Sequence, residues 1–298
     1  MSNQPEIEMA ELAMVNRPPL PSGPRPKTRY GVHLALMGVC FIVAFPMLMA
    51  LMTATQTAEE SFAPATELFP PSTDLDDNVR ELFDSENFGP IIWNTLIVTS
   101  VVVIAKTTLA MLSGLAFVYF QFPGKWVLFF VVLLSLLLPT EIILLPLFRL
   151  VSELEWGSQN PRLALTIPFL ATAAGAFLFR QHFTNIPREM VEAAQMDGAT
   201  PLRFMWSVLI PMSMNVIMAH AVLQFIAAWN QFLWPALIIQ NREDWVIQQG
   251  VRNAARFSSQ SDFGLLMTAG IVASIPPVII FILLQKQFMS GFALTRDK

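Results

Sequence analysis

Apolar residues in this chain gather in six long blocks, at about residues 32–52, 91–118, 126–148, 162–179, 212–239 and 264–285. A membrane-crossing helix needs roughly 20 mostly apolar residues, and each block is close to that length or beyond it. None shows the period-two alternation of an outer-membrane barrel strand. The pattern therefore predicts an all-α integral membrane protein with six transmembrane helices. The first block does not read as a cleaved signal peptide. It follows a long polar stretch, exceeds the length of a signal core, and lacks a small-residue cleavage pattern after it.

The polar stretches divide the rest. Residues 1–29 hold Pro5, Pro18, Pro19, Pro21, Pro24 and Pro26 and read as a disordered cytoplasmic tail. Residues 30–52 form the first transmembrane helix. Residues 53–90 form an acidic extracytoplasmic segment, with a short helix expected over 74–86, capped by Ser72 or Thr73. Residues 91–285 form a five-helix core that contains a loop at 184–211, and 286–298 form a second cytoplasmic tail.

Composition agrees. Hydrophobic residues make up 54% and charged residues 13%, about half the charge of an ordinary soluble domain. That excludes a soluble enzyme, a disordered chain and a nucleic-acid binder; the net charge of −4 offers no surface for polyanions. The lone Cys40 can form neither an intramolecular disulfide nor a metal site by itself. Lys and Arg favour one side of the membrane. Eleven fall in the N-terminal tail, the 125 turn, the 180–203 region and the C-terminal tail, against six on the other side. The positive-inside rule then places both termini in the cytoplasm.

The loop at 184–211 carries the most information. It reads as two helices joined by a tight turn. Asn185 is a candidate N-cap and Pro187 a first-turn proline. A helix over 187–197 is closed by Gly198, and Thr200-Pro201 begins the next. Pro211 marks the entry to the fifth span. The 187–197 helix carries small or apolar Met190, Val191, Ala193, Ala194 and Met196 in a water-facing loop, edged by Glu189, Glu192 and Asp197. Such a face fits a groove on another protein. A helix lying on lipid would carry more Lys and Arg with Trp, Phe or Leu.

Glu192-Ala193-Ala194, three residues, Gly198, nine residues, Val208, one residue, Ile210-Pro211 resembles the EAA loop of ABC importer permeases. Pro139-Thr140-Glu141 with Pro146, Leu178-Phe179-Arg180-Gln181 and the run Trp229 to Pro235 are similar to the carbohydrate-type branch. They look most like the second permeases of sn-glycerol-3-phosphate importers, relatives of the smaller maltose permease. The resemblance implies a type I ABC importer permease fold in a bacterial inner membrane. It implies that Glu192, Ala193, Ala194, Asp197, Gly198 and Pro211 belong to a coupling loop seated on a separate ATPase. It further implies a second permease subunit, an ATPase homodimer that binds ATP and Mg, and an extracytoplasmic substrate-binding protein. The chain itself has no GxxxxGK[ST] phosphate loop, and no cofactor or metal is expected in it.

Ionisable and amide groups inside the spans need a physical reason, since a charge at mid-bilayer costs on the order of 2.5–3.5 kcal/mol on insertion scales. Glu141, between Pro139 and Pro146, is either a pathway carboxylate or a paired structural group. Lys106 either snorkels to the interface or pairs with a neighbour. Gln224 and Gln231 share a helix face at their spacing of seven. With Trp229 and Asn230 they are candidate contacts for a polyol or sugar, or else glue between helices. Pro276-Pro277 is expected to break the sixth span. Two other classes stay open from the residues: a stand-alone secondary transporter, and a structural membrane subunit without a pathway.

Overall fold

The computed structural model describes residues 30–57, 59–60, 73–254 and 262–293, with the side chains of 140, 141, 288 and 290–293 left out. The expected tail at 1–29, the Ser72 cap, much of the acidic segment and the Glu141 side chain therefore lie outside the described residues. Among those described, all regular structure is helical. Two units are distinguished, 1–48 and 49–298. Most of α1 (Tyr30–Thr53), a 24-residue apolar helix with mean hydropathy 2.5, falls in the first.

The second unit is built on α3 (Phe88–Tyr119), a 32-residue helix. The acidic segment contributes α2 (Leu75–Asp84), with Asp76 and Asp77 in its first turn. Its N-cap residue is Asp74, which makes no side-chain capping bond, so the cap is not Thr73. Instead the Asn78 side chain fixes α2 by donating to the carbonyls of Ala54 and Gln56 at 3.0 and 3.1 Å.

The expected third span is two helices, α4 (Lys125–Ser135) and α5 (Thr140–Glu153). Leu136, Leu137 and Leu138 tighten onto carbonyls three residues back, and Pro139 then turns extended at ψ 134°. Proline supplies no N–H and restricts the residue before it, so an α-helix stops there. Beyond a short turn of helix, α6 (Trp156–Gln159), the fourth span is also interrupted. Its halves, α7 (Pro161–Thr166) with the 3-10 turn to Phe169, and α8 (Ala173–Thr184), are bent by 44°. Thr172 restarts the chain by accepting the Gly175 N–H at 3.3 Å. Among the described residues, four helices are long and apolar enough to cross a membrane, or five if the bent pair counts as one.

The remaining elements are α9 (Arg188–Met196), α10 (Pro201–Phe204), α11 (Ile210–Trp229), α12 (Leu233–Ile238), α13 (Ile247–Ala254) and α14 (Phe263–Ala293). The last runs unbroken through Pro276 and Pro277, against the expected break. Pro277 has no N–H for the carbonyl of Ala273, four residues back. The indole N–H of buried Trp229 donates to that carbonyl at 3.0 Å instead. The same device recurs at Pro168: the indole of Trp234 donates to the carbonyl of Ala164 at 2.9 Å.

Apolar packing collects at two ends of α3. Toward its start, Phe88 and Ile91 join Phe225, Trp229, Ile247 and Leu265 from α11, α13 and α14. Toward its end, Ala110 and Leu115 join Phe179, Phe183, Phe204 and Leu209, beneath the 184–211 loop. Gly114 lets α3 and α8 touch; a Cβ there would sit 2.8 Å from the Phe179 Cβ and 2.9 Å from its backbone carbon. Gly114→Ala is expected to lower the unfolding temperature in detergent, at a cost of about 1–3 kcal/mol for forcing the helices apart. Gly270→Ala, with nothing within 4 Å, should be neutral or mildly stabilising in the same melt.

Candidate docking loop and the polar face of the spans

The loop begins where α8 ends. Asn185 closes that helix, its side-chain amide donating to the Gln181 carbonyl at 2.9 Å. It is therefore not the N-cap of the next helix. Pro187 takes the N-cap place with extended ψ of 135°, one position before the first-turn site expected for it. α9 follows and stops at Gly198, whose φ of +67° is costly for any residue with a Cβ. The Gly198 N–H reaches the Gln195 carbonyl at 3.0 Å, and the Ala199 N–H reaches Ala194 at 2.9 Å. These are the paired bonds of a Schellman end. Thr200 then accepts the Arg203 N–H at 3.4 Å with Pro201 in the first turn.

α9 is held from behind and open in front. Val191 and Ala194 pack on the cluster under the loop. Glu189, Glu192, Ala193, Met196 and Asp197 are exposed, Met196 by 89%. The base is stiff: the Tyr119 hydroxyl donates to the Phe183 carbonyl at 3.2 Å, and its ring meets Phe204 edge-on at 5.3 Å. A short helix with a rigid back and an exposed Glu-Ala face can receive or deliver a push.

Pro211 lies in the first turn of α11 without starting a separate helix. Helical structure already runs from Pro201 through a π turn at Met205–Leu209 into α11, with the Ile210 N–H on the Met205 carbonyl. The proline ring would press on the Ser207 carbonyl in a regular helix, and the wider π turn gives it room.

The candidate pathway residues separate. Gln224 accepts a bond from Lys106 Nζ at 3.1 Å, joining α11 to α3. Lys106 therefore pairs within the helices and does not snorkel. One turn along, Thr107 meets Nδ1 of buried His220 at 3.2 Å. Trp229 is 1% exposed, stacked on Phe225 and bonded to Ala273, so it holds helices together. α11 ends at Trp229. Gln231 consequently lies in the turn beyond it and does not continue the helix face of Gln224. Asn230 is exposed, donating to Ile226 and accepting from Gln248 at 3.1 Å. Glu141 belongs to the first turn of α5 as backbone only. Gln224, Trp229 and Asn230 thus have different partners, on α3, α14 and α13 respectively.

A polar hub that the sequence did not single out lies at the start of α3. Glu86, 9% exposed at its side chain, receives Arg242 at 2.6 Å and Asn253 at 2.7 Å. Asn94 links Glu243 and Arg162 nearby. The only sequence hint was three arginines persisting in the 240–263 loop.

Comparison with known proteins decides the family. The model described as "Binding-protein-dependent transport system inner membrane component" matches residues 106–292. The chain belongs to this family. The permease is 32% identical over 283 residues to the "sn-glycerol-3-phosphate transport system permease protein UgpE" of Brucella melitensis, covering 91% of this chain and 98% of that one. It is 33% identical over 279 residues to the protein of the same name in Agrobacterium fabrum, with the same coverage. A chain in the "Crystal structure of a bacterial ABC transporter involved in the import of the acidic polysaccharide alginate" superposes with a TM-score of 0.75 at 22% identity. The match covers 90% of this permease and all of that chain, and it supports the fold. The permease is thus a transport subunit and not an enzyme, and its several apolar helices fit a multi-pass inner-membrane protein.

Gly198 gives a test of the loop geometry. A Cβ there meets nothing within 4 Å, so the penalty is one of backbone angle and not of space. Resistance of the loop to limited proteolysis in purified permease is expected to fall in the order Gly198→Asn, Gly198→Ala, Gly198→Val. Asparagine tolerates the left-handed region best, alanine costs about 1–2 kcal/mol there, and valine costs more.

Proposed function

We propose that this permease is one transmembrane subunit of an ATP-driven importer for a glycerol phosphate, polyol or carbohydrate. It pairs with a second permease, an ATPase homodimer and an extracytoplasmic binding protein. ATP and Mg are bound by the ATPase. The substrate class is supported by the two near-full-length relatives named for sn-glycerol-3-phosphate transport. Coupling is carried by one observation: α9 is braced by Val191 and Ala194 and offers Glu192 and Ala193 outward before a Gly198 stop. Closure of the ATPases moves α9, and the stiff base passes that motion to α3, α8 and α11.

In this reading the chain crosses the membrane six times, with α4 and α5 sharing one interrupted crossing, and both termini are cytoplasmic. The excess of Lys and Arg around α9 and the acidic 53–90 segment on the opposite side support that orientation. α2, pinned by Asn78, offers its acidic face to the binding protein or to the partner permease.

The complete complex in proteoliposomes tests the proposal. Glu192→Lys and Gly198→Asp should each cut substrate uptake tenfold or more at normal membrane abundance, while ATP hydrolysis persists. Normal uptake by both variants would contradict a coupling role for α9. Binding-protein-dependent ATPase stimulation, compared across sn-glycerol-3-phosphate, glycerol and neutral sugars, should be largest for the phosphate ester. Stimulation by sugars alone would move the substrate class.

A further inference from the structure

Beside α9 lies a cleft of 480 Å3 bounded by the end of α3, the start of α4 and the end of α8. Three cations line it: Lys125, Arg180 and Arg188. Lys125 is only 7% exposed, and its Nζ donates to the Phe120 carbonyl at 2.8 Å. Arg180 lies over the rings of Phe129 at 4.4 Å and Trp126 at 5.3 Å, with one bond to the Gln181 side chain. Among the described residues, none of the three forms an ion pair with a carboxylate. Glu192 is the one acid on the cleft wall. A buried ammonium with no counter-ion is costly unless something negative reaches it.

The surroundings say what kind of anion. The cleft sits where α3 ends and α4 begins, at the edge of the apolar layer, with Trp126 exposed there. Such belts of aromatic residues lie at headgroup level. From Trp126, an exposed apolar stripe of Val127, Phe130, Val131 and Leu134 runs along α4. Phe117 borders the cleft and also a second groove of 300 Å3 between α3, α4 and α8. Of the three hydroxyls in that groove, Ser113 and Ser135 donate to their own helix carbonyls and Thr172 accepts the Gly175 N–H, so the rest of its wall is apolar. A charged cleft and an apolar groove thus share Phe117 as a wall, an arrangement that suits a headgroup with an acyl chain.

We propose that this cleft binds the phosphate of an anionic phospholipid, with one acyl chain lying along α4 behind Phe117. Lys125 and Arg180 hold the phosphate, and Arg188 links it to the first turn of α9. The bound lipid then props the back of the docking helix, so anionic lipid content sets how firmly α9 is held.

The whole importer complex, in nanodiscs of mixed phosphatidylglycerol and phosphatidylcholine, tests this by native mass spectrometry of retained lipid. Wild type should retain phosphatidylglycerol selectively. Lys125→Gln with Arg180→Gln should reduce that selectivity about 25-fold, at about fivefold per surface cation removed. Lys125→Arg, which keeps the charge, should preserve it and shows that the fold tolerates change at the position. Equal retention by wild type and the double variant would overturn the proposal, as it would if a partner subunit filled the cleft. Loss of selectivity in millimolar inorganic phosphate would also overturn it, because the site would then belong to a soluble anion.

Discussion

Everything in this permease depends on pairing its backbone polar groups without water. In hydrocarbon, a carbonyl that loses its helical N–H must find another donor inside the protein. Prolines create such carbonyls, and the chain keeps 22 prolines. At Ala273 and Ala164 the missing donors are the indoles of Trp229 and Trp234. Each tryptophan lies on a different helix from the carbonyl it serves. The bond that repairs one helix therefore also fastens it to a neighbour. α14 is continuous through two prolines, with α11 supplying the N–H that Pro277 lacks, and α12 is tied to α7 in the same way.

At Pro139 no such donor is present among the described residues and the helix breaks, whereas Pro46 and Pro146 sit inside helices that continue. Pro139 ends the run from α4, and the chain restarts in α5. Near Pro211 a third outcome appears: a π turn widens the helix so that it continues. These choices build a stiff frame around α3. α9 rests on the end of that frame at Val191 and Ala194, and its outer face is left for a partner. The proposed coupling role rests on this contrast between a fixed back and an open front.

Much of this was legible in the residues. The long apolar blocks gave the membrane class, and the spacing from Glu192 to Pro211 gave the family and the loop. Gly198 as a left-handed stop and Thr200 as a cap followed from local chemistry alone. The pathway residues were not legible. For Trp229 and Asn230 the residues left sugar contact and interhelical glue both open, because their partners, Ala273 and Gln248, are distant in sequence. Gln231 was placed on a helix face because nothing local announces that α11 stops at Trp229. Proline proved ambiguous as well: Pro139 ends a helix, while Pro46, Pro146, Pro276 and Pro277 lie inside continuous ones. The Glu86 hub joins residues more than 150 apart, and only tertiary structure brings them together.

The central claim is that the outward face of α9 meets the ATPase. Single cysteines at 193 and at 191, in a permease whose Cys40 is serine, test it by short-linker thiol cross-linking in the assembled complex. The account predicts a cross-link to the ATPase from position 193 that changes in yield when ATP is added, and none from position 191, which packs inward. No ATPase cross-link from 193, or an equal one from 191, would contradict it.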